Sequence, residues 1–194
     1  MRTDGVAEGV ARPHGAVRLG EMCIGALGVA VAAHVSVRLP GIPVPFVLTP
    51  LAVVLAGLRT RPVDAAGAMG LYLAAGALGL PVWAPGGPPG ILRLVGPTAG
   101  FLLSYPLAAW SVAGLSDRGA SVWRAILAVM VGLTIIDGVG FSALLALAPA
   151  AWPTVQPAVG WFVLLDIAKG MLAVAVRPRR HRGSGHATPV RPEA

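Results

Sequence analysis

Apolar residues run in long blocks along this chain, separated by short polar or Pro- and Gly-rich segments. The blocks fall at residues 20–38, 43–58, 63–81, 92–115, 122–147 and 159–176. Each crosses, or nearly crosses, a hydrocarbon core of about 30 Å, so the pattern predicts six transmembrane helices. The second block is the shortest and opens with Pro43 and Pro45. It predicts a tilted or broken helix, tolerable at membrane depth only where protein or a cavity covers its backbone. The expected fold class is an all-α integral membrane protein, a six-helix bundle over residues 19–176. Residues 1–18 read as a disordered cytoplasmic leader and residues 177–194 as a basic cytoplasmic tail. No secretory signal is expected, because the first apolar block runs into further apolar segments without a cleavage site.

Composition supports lipid as the main solvent. Hydrophobic residues make up 56% of the chain and charged ones 12%, with a mean hydropathy of +0.76, a balance that a soluble core of this size could not hide from water. The net charge of +7 does not point to nucleic acid, because the basic residues form no stripe interleaved with aromatics. They sit at the ends of the apolar blocks. With the amino terminus inside, the inner set is Arg2, Arg12, Arg18, Arg59, Arg61, Arg118, Arg124, Arg177, Arg179, Arg180, Arg182 and Arg191, against Arg38 and Arg93 outside. That asymmetry places both termini in the cytoplasm and lets the basic tail lie on anionic lipid. Three outer loops result, at residues 39–42, 82–91 and 148–158; the middle one, VWAPGGPPGI, is either a lid or a plain connector.

Ionisable residues at membrane depth are costly unless paired or facing a polar cavity, so they carry most of the functional information. Three stand out: Asp137, Asp166 and Lys169. Asp166 and Lys169 are three residues apart and share a helix face. They form either a self-contained ion pair or part of a polar site, and the cost of burying a pair without use favours the site. Depth counting at about 1.5 Å per residue puts all three in the outer half of the bundle. Asp137 either joins that pocket or marks a helix break with Gly138 and Gly140. Arg93, near Gly96-Pro97-Thr98, either snorkels to headgroups or stands at the pocket mouth. Tyr72, Tyr105 and the tryptophans are interfacial anchors in the common case, and Trp83 or Trp161 could also stack on a bound ring. Ala26, Ala30 and Ala33 lie on one helix face that admits a close neighbour, either another span or a partner subunit.

Cys23 stands alone, which excludes a disulfide framework and a multi-cysteine metal site. Catalytic signatures such as GxSxG, HExxH and the phosphate loop are also missing, so no enzyme, catalytic residue, metal or resident cofactor is expected, and ATP-driven work would need another protein. An enzyme or structural partner using Asp137, Asp166 and Lys169 as acid, base or glue is the competing class.

Four segments carry a family resemblance: RLPGIPVPFVLTPLAVVLAG (38–57), LYLAAGALGLPVWAPGG (71–87), GPTAGFLLSYPLAAW (96–110) and DIAKGMLAVAV (166–176). In that order they resemble BioY, the biotin-binding S component of energy-coupling-factor transporters. The resemblance implies a substrate-capture subunit in the prokaryotic plasma membrane. It would bind biotin near the outer face and work with a coupling transmembrane protein and two ATPase subunits. It also implies that Asp166 and Lys169 bind the ligand, that the loop from Pro85 to Gly90 is a lid, and that the turn from Gly96 through Thr98 to Gly100 lets backbone approach it. The same fold binding another small vitamin or heterocycle is the alternative.

Overall fold

The computed structural model describes residues 14–38, 44–116 and 121–177, and it is mostly helical. Helix α1 (His14–His34) leads to a short antiparallel hairpin, β1 (Ser36–Val37) with β2 (Phe46–Val47), in which Ser36 pairs with Val47 and Val37 with Phe46. Then follow α2 (Thr49–Arg59), α3 (Pro62–Ala77), a 3-10 segment (Gly90–Val95), α4 (Ala99–Leu115), α5 (Val122–Leu147), short α6 (Trp152–Val155) and α7 (Val159–Ala175).

Proline and glycine explain most of the boundaries. Pro50 and Pro62 stand in the first turns of α2 and α3, where a missing N–H costs nothing. Gly79 adopts φ +92°, and with Gly79 N–H on the Gly76 carbonyl and Leu80 N–H on the Ala75 carbonyl it ends α3. Ser121 caps α5 by accepting from the Arg124 backbone N–H.

Several expectations change. The first block becomes helical at His14, so residues 14–18 of the expected leader extend α1, while residues 1–13 lie outside the described residues. The block also ends four residues early, because Ser36 and Val37 take extended backbone and pair with β2, which adds a strand element to the all-α reading. β-branched residues favour that geometry. The fourth block breaks at Gly96-Pro97, since proline disfavours helical backbone in the residue before it; only Ala99 onward is α-helical. Of the expected tail, only Arg177 falls within the described residues.

Among the described residues, three segments are long and apolar enough to span a bilayer unaided: Gly15–His34, Val122–Leu147 and Pro149–Ala175. Helix α2, with 11 residues, rises roughly 16 Å and is short for a span, as its prolines predict. The helices nevertheless pack as one bundle. α4 lies against α5, α3 and α2, α1 packs on α3 and α2, and α7 closes on α2 and α5. Val29, Val53, Met69 and Ile136 centre one apolar cluster; Val54, Val112, Val129 and Leu133 centre a second. Large apolar residues are left on the outside, including Ile24, Leu27, Leu107, Trp110, Leu127, Leu164 and Leu172. A surface this apolar is stable against lipid and not against water, and the chain is a multi-pass membrane protein.

The two ends of the bundle differ in charge. At one end Arg18 holds buried Asp64 at 2.7 Å, Arg59 reaches the Val176 carbonyl, and Arg177 reaches the Ser121 carbonyl. The other end carries the hairpin, the loop after α3 and the segment between α5 and α7.

Candidate functional site

A cavity of about 620 Å³, counted to its open mouth, lies at the hairpin end. Its floor is polar. Lys169 Nζ donates to Asp166 Oδ1 at 2.6 Å and to the Val47 carbonyl at 2.8 Å. The helix α7 spacing brings the pair together; the hairpin supplies the carbonyl, which β2 leaves facing inward. Asp137, on α5, lines the same cavity. Thr49, which opens α2, and Tyr105 on α4 also line the cavity.

Aromatic rings shape the walls. Phe101 and Phe162 line the cavity; Phe46, outside the lining, stacks on Phe162 with centroids 3.9 Å apart, and Phe141 meets Phe162 and Phe101 edge-on. Tyr72 and Tyr105, with ring centroids 6.3 Å apart, line it too. The cavity thus combines aromatic rings with the charged groups Asp137, Asp166, Lys169 and Arg93, a lining suited to a small ligand with a ring and polar edges.

The loop after α3 forms the roof. Trp83 and Ala84 are buried and line the cavity. Arg38, at the end of β1, donates to the Gly86 and Pro85 carbonyls, and Arg93 Nη1 donates to the Ala84 carbonyl at 2.7 Å. Two arginines thus pin one loop to the hairpin and to the 3-10 segment. Trp83 is seated on α3 at Gly76, where any Cβ would lie 2.1 Å from indole Cε2. Gly76→Ala is therefore expected to push the indole off its seat. Overpacking of this kind costs about 1–3 kcal/mol, which weakens the closed loop roughly 5- to 150-fold. A faster ligand off-rate in stopped-flow tryptophan fluorescence is the expected reading; an unchanged off-rate would remove Trp83 from the roof.

Seven of the expected binding residues line this one cavity: Asp166, Lys169, Asp137, Arg93, Thr98, Trp83 and Tyr72. For Arg93 the structure decides between snorkelling and the pocket, since it is 7% exposed and turned inward. Gly96 is not in the wall; its carbonyl accepts the Ala99 N–H and shapes the turn into α4. Trp161 is exposed on α7 and stacks on nothing in the cavity. The partner face is also corrected. Ala30 and Ala33 are buried within the chain, Ala26 packs against the same cluster, and Ala33 lines the cavity, because α3 and α2 take up the close approach that the small residues permit. Sequence reasoning missed Thr49, Phe101 and Phe162 as cavity residues and read Tyr105 only as an interfacial anchor. Of these, only Tyr105 had a signal, as one of just two tyrosines.

The profile of the BioY family matches residues 11–185, nearly the whole chain. The chain belongs to the BioY family. A probable biotin transporter BioY of Pyrococcus horikoshii is 33% identical over 150 residues, covering 77% of this chain and 87% of that protein. The probable biotin transporter BioY of Bacillus subtilis is 42% identical over 76 residues, a match that spans 39% of this chain and 40% of the relative. A crystal structure of the S-component for biotin from an ECF-type ABC transporter superposes with a TM-score of 0.74 at 20% identity, covering 84% of this chain and 89% of that one. At that identity the likeness is one of fold. These proteins carry transporter names and not enzyme names, in keeping with the lack of catalytic motifs in this BioY-family chain.

Proposed function

We propose that the chain is the substrate-capture membrane subunit, or S component, of a biotin uptake transporter. The observation that carries this reading is the Asp166–Lys169 pair at the base of a roofed, aromatic-walled cavity. Biotin offers ureido N–H groups, which need an acceptor, and a ureido carbonyl and carboxylate, which need donors; the cavity holds both types within one small volume. Its flat sides suit the fused rings.

Topology supports the same reading. Helices α1, α2, α3, α4, α5 and α7 serve as the six crossings, with arginine-rich ends in the cytoplasm and the cavity open to the outside. The membrane is the prokaryotic plasma membrane. The chain has no nucleotide-binding motif, so energy comes from a coupling transmembrane protein and two ATPase subunits. The names borne by the relatives and the fold neighbour favour that assembly over a membrane enzyme or structural protein.

Equilibrium binding of labelled biotin to the purified chain in nanodiscs tests the proposal. Saturable binding at or below micromolar concentration is expected, with unlabelled biotin competing. The aromatic walls also fit other flat heterocycles, so the competitor panel includes other ring-bearing vitamins. Stronger competition by one of these would transfer the assignment to that ligand, and absence of saturable binding for all of them would end the capture reading.

A further inference from the structure

Arg38 is not one of the residues lining the cavity, yet its guanidinium is committed to the roof. It stands exposed at the end of β1 and donates to two consecutive carbonyls of the loop after α3, those of Pro85 and Gly86, the latter at 2.8 Å. Gly86 is shaped for this approach. It turns at φ +78°, and a Cβ there would lie 2.7 Å from Arg38 Cζ. A planar fork reaches two neighbouring acceptors at once, which a lysine ammonium does not match. Arg93 grips the same loop from the cavity side. It is buried, donates to the Ala84 carbonyl at 2.7 Å, and its Cζ would lie 2.6 Å from a Cβ at Gly87.

The loop thus has one buried tie and one solvated tie. Water can replace Arg38 at both carbonyls, so that tie opens easily, whereas breaking the Arg93 tie would leave a buried cation without an acceptor. Closure is also opposed from beneath. Trp83 is 6% exposed, and its indole Nε1 is buried with no hydrogen-bond partner among the described residues. A buried N–H without an acceptor favours any arrangement that lets water reach it, so the seated indole favours opening and the Arg38 bonds oppose it. The frame from which Arg38 acts is fixed. Val37 pairs with Phe46 and Ser36 with Val47, whose carbonyl accepts from Lys169 Nζ at 2.8 Å.

We propose that Arg38 is a positioning residue for ligand passage: it latches the loop over the cavity, and the ligand enters and leaves when this latch opens. The inference rests on the capture function proposed above and adds the residue that sets its rates.

Because Arg38 stands outside the cavity, it stabilises the closed loop to the same extent whether or not a ligand lies beneath. Removing it raises the open fraction in both states. Entry and release then accelerate together, and their ratio, the equilibrium affinity, stays near its wild-type value. A residue that touches the ligand behaves otherwise, changing mainly the off-rate and with it the affinity. Two hydrogen bonds at a solvated site correspond to about 5- to 30-fold in the opening equilibrium. The acceptors are neutral carbonyls, so added salt should alter the rates little.

Two measurements test the proposal, one of them without ligand. With Trp110→Phe, Trp123→Phe, Trp152→Phe and Trp161→Phe in place, Trp83 is the one indole left in the chain. Its fluorescence in the ligand-free protein is expected to be shielded from acrylamide and to become more quenchable when Arg38→Ala is added. In the otherwise wild-type chain, stopped-flow binding of biotin is expected to show Arg38→Ala raising the on-rate and the off-rate together, by about 5- to 30-fold. Arg38→Lys should fall between Arg38→Ala and wild type, and the ligand-free thermal midpoint should stay close to wild type in both variants. Equal quenching with and without Arg38 overturns the latch whether or not biotin binds. Unchanged rates in Arg38→Ala overturn its control of passage. So does a lower affinity at an unchanged on-rate, which would make Arg38 a residue that holds the ligand. Absence of biotin binding together with Arg38-dependent quenching refutes the biotin assignment and supports the latch in the empty protein.

Discussion

Asp166→Ala is expected to abolish biotin binding and to destabilise the chain by about 3–5 kcal/mol, the usual cost of leaving one buried charge of a pair without its partner. The Lys169 ammonium would lose its 2.6 Å contact with Oδ1 and keep only the Val47 carbonyl at 2.8 Å. Its side chain is 14% exposed and that of Asp166 6%, so bulk water cannot take over. The double variant Asp166→Leu with Lys169→Met separates stability from recognition. Removing both charges together is commonly neutral or stabilising in a packed interior. The double variant should therefore recover the thermal midpoint in detergent and still fail to bind. Wild-type affinity in the double variant would reduce the pair to structural glue, and a wild-type midpoint in Asp166→Ala would show that the ammonium finds another partner.

That pair was legible in the sequence because ionisable residues in lipid-spanning segments are few and costly, and a spacing of three fixes their common face. Arg93 and Asp137 were legible as candidates but not as choices. Each had a bland alternative at the same place in the chain, and only the fold turns their side chains into the cavity. Trp83 gained its role from Gly76, a contact between a loop and a helix that no local pattern encodes. The opposite failure is the stripe of Ala26, Ala30 and Ala33. Spacing establishes that the face is small and on one side, yet the identity of the neighbour is a property of the whole bundle; here it is α3 and α2 of the same chain. Phe162 and Phe101 were invisible for another reason. A chain with 56% hydrophobic residues offers many large apolar side chains facing lipid, and composition does not mark the ones that face inward. Block boundaries erred where β-branched residues or proline override apolarity, at Val35 to Val37 and at Gly96-Pro97.

Gly100→Leu is expected to have the other large effect, through packing and without touching the ligand. Helices α4 and α5 share the most extensive seam in the bundle, and Gly100 lies in it. A Cβ there would sit 2.3 Å from Ala143 Cβ and 2.6 Å from the Val139 carbonyl oxygen. Part of the obstacle is backbone and cannot rotate away, so the helices must separate by more than an ångström to restore ordinary contact near 3.5–4 Å. Overpacking typically costs about 1–3 kcal/mol, and leucine at a backbone contact belongs at or above the top of that range. In lipid the loss is acute, because helix association rests on close packing and not on expulsion of water. The damage would reach the site, since α4 carries Leu102 and Tyr105 and α5 carries Ile136 and Asp137 on the cavity wall. Both the thermal midpoint and biotin affinity should fall. Gly138→Ala, on α5 with nothing within 4 Å of the added Cβ, is the control and should leave both within experimental error of wild type. If Gly100→Leu and Gly138→Ala behaved alike, the α4–α5 seam would not be the element that holds the two cavity walls in register.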